Sequence, residues 1–385
     1  MGGNPPDKNR CGFNSRRTRG QDMKKVFVII MAAFVVCTSG LCIFREKDSF
    51  SNSERRLLAK FPELSFENIG NGKFMSGFES FAQDQFPFRD SFRGIKSNAV
   101  LKLFRQQDNN GLFLYQGHII KKDYPLNYEM LDHAAKKLDG IYKQYLADTD
   151  CKLYFSIIPD KNHFVSASKG MLQADFDDLE KHMTGKLSYM EYIDIEPLLT
   201  LSDYYKTDSH WKQDCIDDVA EKLAYSMDSE VLSYYEYRGV DQPFYGVYVG
   251  QLAINTQPDR ISYVSNAMIE NCTVTSYDTG KPQQVPFYDI AAAEGRDPYE
   301  MFLNGADALI EIENPNAKTD RELVVFRDSF GSSLAPLLLE TYSKLTLVDT
   351  RYIQSTMLGN FIEFDDQDVL FIYSTGLFIN SLALK

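Results

Sequence analysis

Apolar residues are distributed unevenly along this chain. The densest run covers residues 26–44, where 19 consecutive positions carry no charged side chain. A run of this length is sufficient to cross a bilayer as a helix, and a buried core helix is rarely so uniformly apolar. From residue 128 onwards, apolar positions at helical spacing alternate instead with short β-branched runs. The pattern therefore predicts one membrane-spanning segment and a larger globular part.

The globular part shows a succession of elements that is typical of an α/β protein. Strands are predicted at residues 151–158, 192–195, 323–326, 345–348 and 369–373, and helices at residues 128–146, after His210 and at residues 334–339. Right-handed crossovers between such strands make the sheet parallel. We therefore predict a parallel sheet flanked by helices over residues 126–385.

Two stretches depart from this succession. Residues 229–300 are rich in Tyr, Gly, Gln and Asn, and they predict an insertion of short strands and loops over the sheet. Residues 45–125 predict a helical lead-in next to the membrane, with an aromatic stripe at 78–88, a second helix at 89–104 and a hairpin-like segment at 111–120. An aromatic stripe at helical spacing is usually core, and we interpret it so.

The charge distribution predicts how the chain is oriented. Residues 1–25 carry seven basic residues against two acidic ones, a net charge of +5, and show no apolar periodicity. They predict a disordered tail that stays in the cytoplasm while the rest of the chain is exported. We predict an uncleaved signal anchor in the cell membrane. The alternative is a cleaved signal peptide, although no A-x-A-like site follows the apolar run.

Composition excludes several classes of function for the exported part. The whole chain has a net charge of −13, so the part beyond the tail carries −18, which makes it a poor candidate for nucleic acid binding. Its only cysteines are Cys151, Cys215 and Cys272, too few for a disulfide scaffold, although one bridge is possible. They also lack the paired spacing of a zinc site, and we predict no metal and no cofactor.

One turn of the globular part has the position of a catalytic nucleophile. The strand at residues 323–326 is followed by a polar turn at residues 327–331, with Ser329 at its centre, and then by an apolar helix. A serine between a strand end and a helix has its hydroxyl lifted out of the sheet, and the helix N-terminus offers N–H groups to a developing oxyanion. The alternative is that Ser329 only caps the helix.

A second turn contains the partners that such a serine needs. Asp208 and His210 are separated by one residue, just before a predicted helix. The imidazole can take the serine proton, and the carboxylate can hold the imidazole in the required tautomer. The alternatives are a capping aspartate beside a surface histidine, or a metal site with Asp203 or Asp214, which no spaced second histidine supports.

These segments resemble one known family. The sequence YYKTDSHWK, followed about 120 residues later by FRDSFGSSLAP and LTLVDTRY, resembles the DHHW family, which belongs with the SGNH-like alginate O-acetylating proteins of bacterial envelopes. The segments FAQDQFPFRD, YFSIIPDKNHF and YEMFLNGADALIEIENPNA resemble that family as well. This chain departs from the family pattern twice: Ser209 replaces the first histidine of Asp-His-His-Trp, and Asn304 replaces the first glycine of Phe-Leu-Gly-Gly.

The resemblance implies an SGNH-like α/β fold and a Ser-His-Asp mechanism. It implies Ser329 as the nucleophile, His210 as the general base and Asp208 as the orienting carboxylate. Five further residues in the resembling segments are candidates for substrate contacts: Trp211, Lys161, Asn304, Arg351 and Tyr352.

The function implied by the resemblance is a membrane-anchored extracytoplasmic O-acyltransferase, with acetyl as the expected group and an envelope or extracellular polysaccharide as the acceptor. A membrane-bound O-acyltransferase is the expected partner that supplies acyl groups. The same triad also serves a carbohydrate acetylesterase, in which water accepts the acyl group. A non-catalytic glycan-binding or scaffold protein is the alternative of another class, and it predicts that Ser329 lies far from His210.

Overall fold

A computed structural model describes residues 11–165 and 170–385 of the chain. The chain divides into two compact units. The first comprises the residues up to Asn52 together with Arg56–Arg93, and the second comprises Ser53–Arg55 together with Gly94–Lys385.

The first unit contains the apolar segment. Its elements are α1 (Cys11–Phe44), β1 (Phe50–Ser51), β2 (Arg56–Leu57), α2 (Phe66–Gly70), α3 (Lys73–Asp84) and the first part of α4 (Arg89–Asn98). Within α1, Met23–Phe44 is long and apolar enough to cross a membrane, and none of it is buried inside the protein. The helix begins at Cys11, so it extends into the segment predicted to be disordered, whose first ten residues lie outside the described part.

The aromatic stripe of the lead-in is not core. The helix α3 buries none of its residues. Its phenylalanines instead surround Phe61, whose ring meets those of Phe74, Phe78 and Phe81 edge-on at 5.3–6.2 Å between centroids. The interpretation as core was wrong because helical spacing shows only that the rings share a face, and this face packs on a single partner ring.

The second unit contains the predicted α/β succession. Its helices are α5 (Tyr128–Ile141), α6 (Phe176–Lys186), α7 (Asp217–Ser226), α8 (Val247–Leu252), α9 (Ala267–Asn271), α10 (Phe330–Leu334) and α11 (Thr375–Ile379). Its strands are β3 (Leu112–Tyr115), β4 (His118–Lys121), β5 (Lys152–Ile158), β6 (Glu191–Tyr192), β7 (Glu236–Gly239), β8 (Ser262–Ser265), β9 (Thr273–Ser276), β10 (Gln283–Val285), β11 (Leu309–Glu313), β12 (Glu322–Arg327), β13 (Lys344–Val348) and β14 (Asp368–Ser374). Where the sequence predicted an element of this list, the observed bounds match it closely, except for β6, which is shorter than predicted, and α10, which starts earlier and continues as a 3₁₀ turn; α6 and β11 were not predicted.

Eight strands form one sheet in the order β10-β9-β11-β13-β12-β14-β5-β6. The five strands from β13 to β6 run parallel, as predicted. The sheet as a whole is mixed, because β11, β9 and β10 join it by antiparallel pairing. Thus β9 and β10, which lie in the predicted insertion, extend the sheet, whereas β7 and β8 form a separate two-stranded ladder.

Both faces of the sheet are buried, which explains the continuous apolar runs of its central strands. Along β12, Leu323 and Val325 join one core cluster, which also contains residues of α7 and α10. Val324 and Phe326 join the cluster on the other face, with residues of α5 and α6. The predicted α/β class, a sheet flanked by helices on both faces, is confirmed. In such a sheet, ligand sites form at the carboxyl ends of the parallel strands.

Candidate active site

Ser329 lies directly beyond the carboxyl end of β12 and starts the short helix α10. It occupies the N-cap position, yet its side chain makes no capping hydrogen bond. The turn is tight enough to require Gly331: a Cβ there would lie 2.6 Å from the Cβ of Arg327. The hydroxyl is therefore presented at the edge of the sheet and does not serve as a helix cap.

Asp208 and His210 lie at the tip of a hairpin-like loop. Two backbone hydrogen bonds close the loop, from Tyr205 N to His210 O at 3.0 Å and from Lys212 N to Asp203 O at 2.7 Å. Within it, the Asp208 carboxylate also accepts the backbone N–H of His210 at 3.2 Å. This local turn brings the carboxylate and the imidazole of a D-x-H sequence side by side.

The two turns, 119 residues apart in sequence, meet in one hydrogen-bonded relay. His210 Nδ1 lies 2.6 Å from Asp208 Oδ1, and His210 Nε2 lies 2.6 Å from Ser329 Oγ. A charged carboxylate only accepts hydrogen bonds, so Nδ1 carries the proton and Nε2 is the acceptor for the serine hydroxyl. The predicted contacts of both ring nitrogens are thus present in the structure.

The surroundings of Asp208 keep it charged. Burial disfavours the carboxylate, but the hydrogen bond and the charge of His210, the N–H of Val247 and the charge of Arg55 outweigh it, and the pKa of Asp208 lies below its usual range. Val247 N donates to Asp208 Oδ2 at 2.9 Å. An anionic Asp208 is the form that stabilises a protonated His210.

Three side chains hold the loop against α10. The ring of Tyr299 stacks on the His210 imidazole, with 3.8 Å between centroids and 7° between planes. Tyr299 also donates its hydroxyl to Ser333 Oγ at 2.8 Å, and Trp211 Nε1 donates to the same atom at 2.9 Å. Gln213 Nε2 donates to the Ser333 carbonyl at 2.6 Å. The imidazole is therefore fixed relative to the helix that begins at Ser329.

The structure corrects the expectation for Trp211. Its side chain is completely buried in the core cluster that contains α7 and α10. The only donor of the indole is already used inside the protein and the ring has no exposed surface for a substrate, so the position of Trp211 next to His210 reflects packing.

The other predicted substrate contacts are divided between buried and exposed positions. Lys161 is buried, donates from Nζ to the Tyr205 carbonyl at 2.9 Å, and burial lowers its pKa to about 7 despite nearby carboxylates. It therefore positions the loop and is not presented to a ligand. Arg351 forms a bidentate pair with Asp349, at 2.9 and 2.6 Å, and lines the cavity beside Ser329. Tyr352 is partly exposed, at 45%, and does not belong to the lining of that cavity.

Asn304 has a backbone conformation that favours glycine, and this explains why the family pattern has a glycine at this position. Leu303, Asn304 and Gly305 all have positive φ angles, of 47°, 56° and 69°. Asparagine is one of the few residues that adopt this region readily, so it can replace glycine there. Its side chain donates to Asp307 Oδ2 at 3.0 Å and does not line the cavity beside Ser329.

Ser329 opens into a cavity of about 300 Å³. Asp328 lines it with both carboxylate oxygens occupied, accepting the N–H groups of Phe330 at 3.1 Å and Ser374 at 2.9 Å. A larger hollow of about 690 Å³ lies among residues at the amino ends of β12, β13 and β14, and its lining includes neither serine nor histidine. The smaller cavity is therefore the candidate substrate site.

Sequence reasoning missed two charged groups near the triad. Arg55 belongs to the predicted lead-in, yet its guanidinium lies 2.8 Å from Asp297 and 3.9 Å from Asp208. Asp123, at the end of the same lead-in, lines the Ser329 cavity. Neither lies in a motif or a periodic pattern, so no local signal identified them. Cys151, Cys215 and Cys272 are free thiols.

Comparison with known proteins shows likeness at the level of fold. No protein-family model and no curated protein matches this sequence. A solved structure of a DHHW family protein from Eubacterium siraeum superposes with a TM-score of 0.57 at 20% identity, covering 72% of this chain and 94% of the other. PatB1 from Bacillus cereus, solved with a sulfonyl adduct, superposes with a TM-score of 0.54 at 19% identity, covering 69% and 95%. The resemblance read from the motifs is thus confirmed in three dimensions: this chain shares its α/β fold with a DHHW family protein and with PatB1.

Proposed function

We propose that this protein is a membrane-anchored serine O-acyltransferase that moves an acyl group, with acetyl as the expected one, onto a polysaccharide outside the cell. The observation that carries the proposal is the relay of Asp208, His210 and Ser329, joined by two contacts of 2.6 Å. Such a relay activates a serine hydroxyl that is otherwise a weak nucleophile.

The first half of the reaction transfers the acyl group to the protein. Ser329 Oγ attacks the acyl carbonyl of the donor while His210 Nε2 takes the hydroxyl proton. The tetrahedral intermediate then collapses, the bond to the leaving group breaks, and His210 returns the proton to that group. Asp208 holds the imidazole and stabilises its protonated form throughout.

One backbone group is suited to stabilise the oxyanion of that intermediate. The N–H groups of Phe330 and Gly331 already donate to Asp328, at 3.1 Å each. The N–H of Ser329 has no acceptor within the described part of the chain, and it adjoins the attacking oxygen. A preorganised donor at this place lowers the barrier where the charge develops.

The second half passes the acyl group to the acceptor. A sugar hydroxyl gives its proton to His210 and attacks the acyl-Ser329 ester, and collapse of the second intermediate returns the proton to Ser329 Oγ. If water enters instead, the product is a free acid, and the protein is an esterase with the same triad. A non-catalytic scaffold requires no hydrogen bond between Ser329 and His210, and the observed contact disfavours it.

An acyl-transfer assay tests the proposal. The full-length chain in detergent is given an activated acetyl ester and a soluble glycoside, and acetylated glycoside and free acetate are both measured. In parallel, a sulfonyl fluoride, chosen because a sulfonyl adduct was obtained with PatB1, is expected to label Ser329. Absence of both ester turnover and labelling would contradict the proposal, and acetate as the sole product would assign the protein as an esterase.

We expect the protein to remain anchored by its apolar helix. Met23–Phe44 can cross a membrane. Five basic residues precede it, and two more, Lys24 and Lys25, lie in its first turn, which favours a cytoplasmic N-terminus. N-terminal sequencing of the protein recovered from membranes is the measurement. A mature N-terminus beyond Phe44 would show that the segment is a cleaved signal.

A further inference from the structure

The cavity that contains Ser329 also contains a pair of aspartates that the proposed relay does not use. Asp123 and Asp160 line it together with Lys121, Tyr248 and Ser329. Its volume of about 300 Å³ is at the lower end for ligand sites, and this small size favours a single sugar ring over a longer segment.

Asp160 is held by the protein itself. It follows β5 at the carboxyl edge of the sheet, and its Oδ2 accepts the Thr375 hydroxyl at 2.7 Å. The backbone N–H of Asp160 in turn donates to Thr375 Oγ at 3.0 Å. Gly376 allows this approach, because a Cβ there would lie 2.8 Å from Asp160 Oδ2. Hydrogen bonds within the protein therefore fix the Asp160 side chain in the wall of the cavity.

Asp123 has no such support. Only 9% of the residue is exposed, yet its carboxyl group makes no hydrogen bond to any protein group in the described part of the chain. Removing a carboxyl group from water without a hydrogen bond is costly, and because Asp123 lines the cavity, a molecule in the cavity can supply that bond. An unpartnered acid that lines the cavity of a nucleophilic serine indicates a place where a ligand supplies the missing hydrogen bonds.

The charges around Asp123 define the ligand. Burial and the neighbouring charge of Asp160 raise the pKa of Asp123 to about 7, against a smaller opposing effect of Lys121. A carboxyl group that is partly protonated at neutral pH can both accept from and donate to a hydroxyl, which is itself donor and acceptor. Asp160 and Asp328 add two further carboxyl groups to the lining, against the ammonium of Lys121, and Arg351 is neutralised by Asp349. The acidic groups of the lining therefore outnumber its unneutralised cation, and a carboxylated sugar is disfavoured.

We propose that Asp123, supported by Asp160, forms the acceptor subsite of this cavity and binds a hydroxyl of an uncharged sugar. The proposal rests on the proposed function and adds the acceptor class and the residue that selects it. Asp123 acts there as a binding residue, while proton transfer remains with His210.

The test compares Asp123→Asn with the wild-type chain and with Asp148→Asn, which removes an exposed carboxylate elsewhere. The full-length proteins transfer acetyl from an activated ester to methyl glucoside or to methyl glucuronide. At pH 8, where Asp123 is mainly ionised, we expect Asp123→Asn to raise the KM for methyl glucoside by about tenfold, because a neutral amide replaces a charged acceptor of the sugar hydroxyl, and to increase the share of acetyl groups that pass to water. Asp148→Asn should match the wild type, and the wild type should prefer the glucoside to the glucuronide by about tenfold or more.

Several results would overturn the acceptor subsite while leaving Ser329 as a nucleophile. They are an unchanged KM in Asp123→Asn, equal use of the two glycosides, or ester hydrolysis without any transfer to the glucoside. Failure of the proposed function is a different result: the wild-type chain then shows neither ester turnover nor sulfonyl labelling.

Thermal melts add a second readout. Because the pKa of Asp123 is raised from 3.8 to about 7, the folded state binds more protons than the unfolded state in that range, and this group costs stability as pH rises. The groups that face it, Asp160, Lys121 and Asp328, remain in the variant. Asp123→Asn should therefore have a higher melting temperature than the wild type at pH 8, and the difference in melting temperature should shrink towards pH 4. A variant that melts lower at both pH values would show that Asp123 is structural.

Discussion

Replacing Ser329 by alanine is expected to abolish acyl transfer without unfolding the protein. Loss of the nucleophile removes the covalent route, which corresponds to a fall of roughly three to six orders of magnitude in kcat. The stability effect is expected to be under about 1 kcal/mol, because the Ser329 side chain makes no capping bond whose loss would matter. Turnover of a chromogenic acetyl ester and a thermal melt are measured on the same preparation.

Further variants test whether Asp208, His210 and Ser329 act as one catalytic unit or contribute independently. The kcat of His210→Ala should fall nearly as far as that of Ser329→Ala, and the kcat of Asp208→Asn should fall somewhat less. The double variant of Ser329 and His210 should be hardly slower than Ser329→Ala, because the effects of residues that act as a unit are not additive. Ser332→Ala is the matched control, because this serine lies in the same helix and its buried hydroxyl has no hydrogen-bond partner among residues 11–165 and 170–385. If Ser329→Ala retains turnover and loses only stability, the serine is a structural residue and the enzyme assignment is wrong.

Gly246→Ala is expected to lower the rate of acyl transfer strongly, although Gly246 takes no part in the chemistry. A Cβ at this position would lie 2.4 Å from the Cβ of Asp208 and 2.4 Å from the Thr207 carbonyl oxygen. The backbone around it holds the loop, since Gly246 N donates to Thr207 Oγ at 2.9 Å. Asp208 must therefore move, and a displacement of about 1 Å can cost on the order of a hundredfold in rate.

The control for Gly246→Ala is Gly239→Ala, where an added Cβ meets no atom within 4 Å. Overpacking at Gly246 should also lower stability by about 1–3 kcal/mol, and Gly239→Ala should leave both activity and stability near the wild-type values. Equal turnover in the two variants would mean that activity does not depend on the observed position of Asp208, and it would contradict the proposal that Asp208 orients His210.

The candidate relay residues could be identified because each half of the relay lies on one short turn with a local signal. Asp208 and His210 are two residues apart, and Ser329 lies between a strand and a helix, so each turn suggested a candidate role that the family resemblance then favoured. Their contact links positions 119 residues apart, and local patterns carry no information on that distance. It was a hypothesis until the fold placed both turns at one edge of the sheet.

Other features could not be predicted for physical reasons. The strand β11 pairs antiparallel with its neighbour, so no crossover helix is needed to connect it. The prediction relied on strands that alternate with helices, and it therefore missed β11. Trp211 was a candidate for substrate contact because it lies in a segment that resembles the family, but its indole is used for packing on α10. Arg55 and Asp123 are single charged residues, which look like solvated surface until the fold buries them.

Trapping of the acyl intermediate tests the central claim most directly. The wild-type chain is mixed with an activated acetyl ester, quenched in acid within the first turnovers, digested and analysed by mass spectrometry. We expect one acetyl group on the peptide that contains Ser329, absent from Ser329→Ala and lost from the wild-type chain when an acceptor glycoside is added before the quench. Turnover of the ester with no acetyl group on Ser329, or with the group on another residue, would contradict the assignment of Ser329 as the nucleophile.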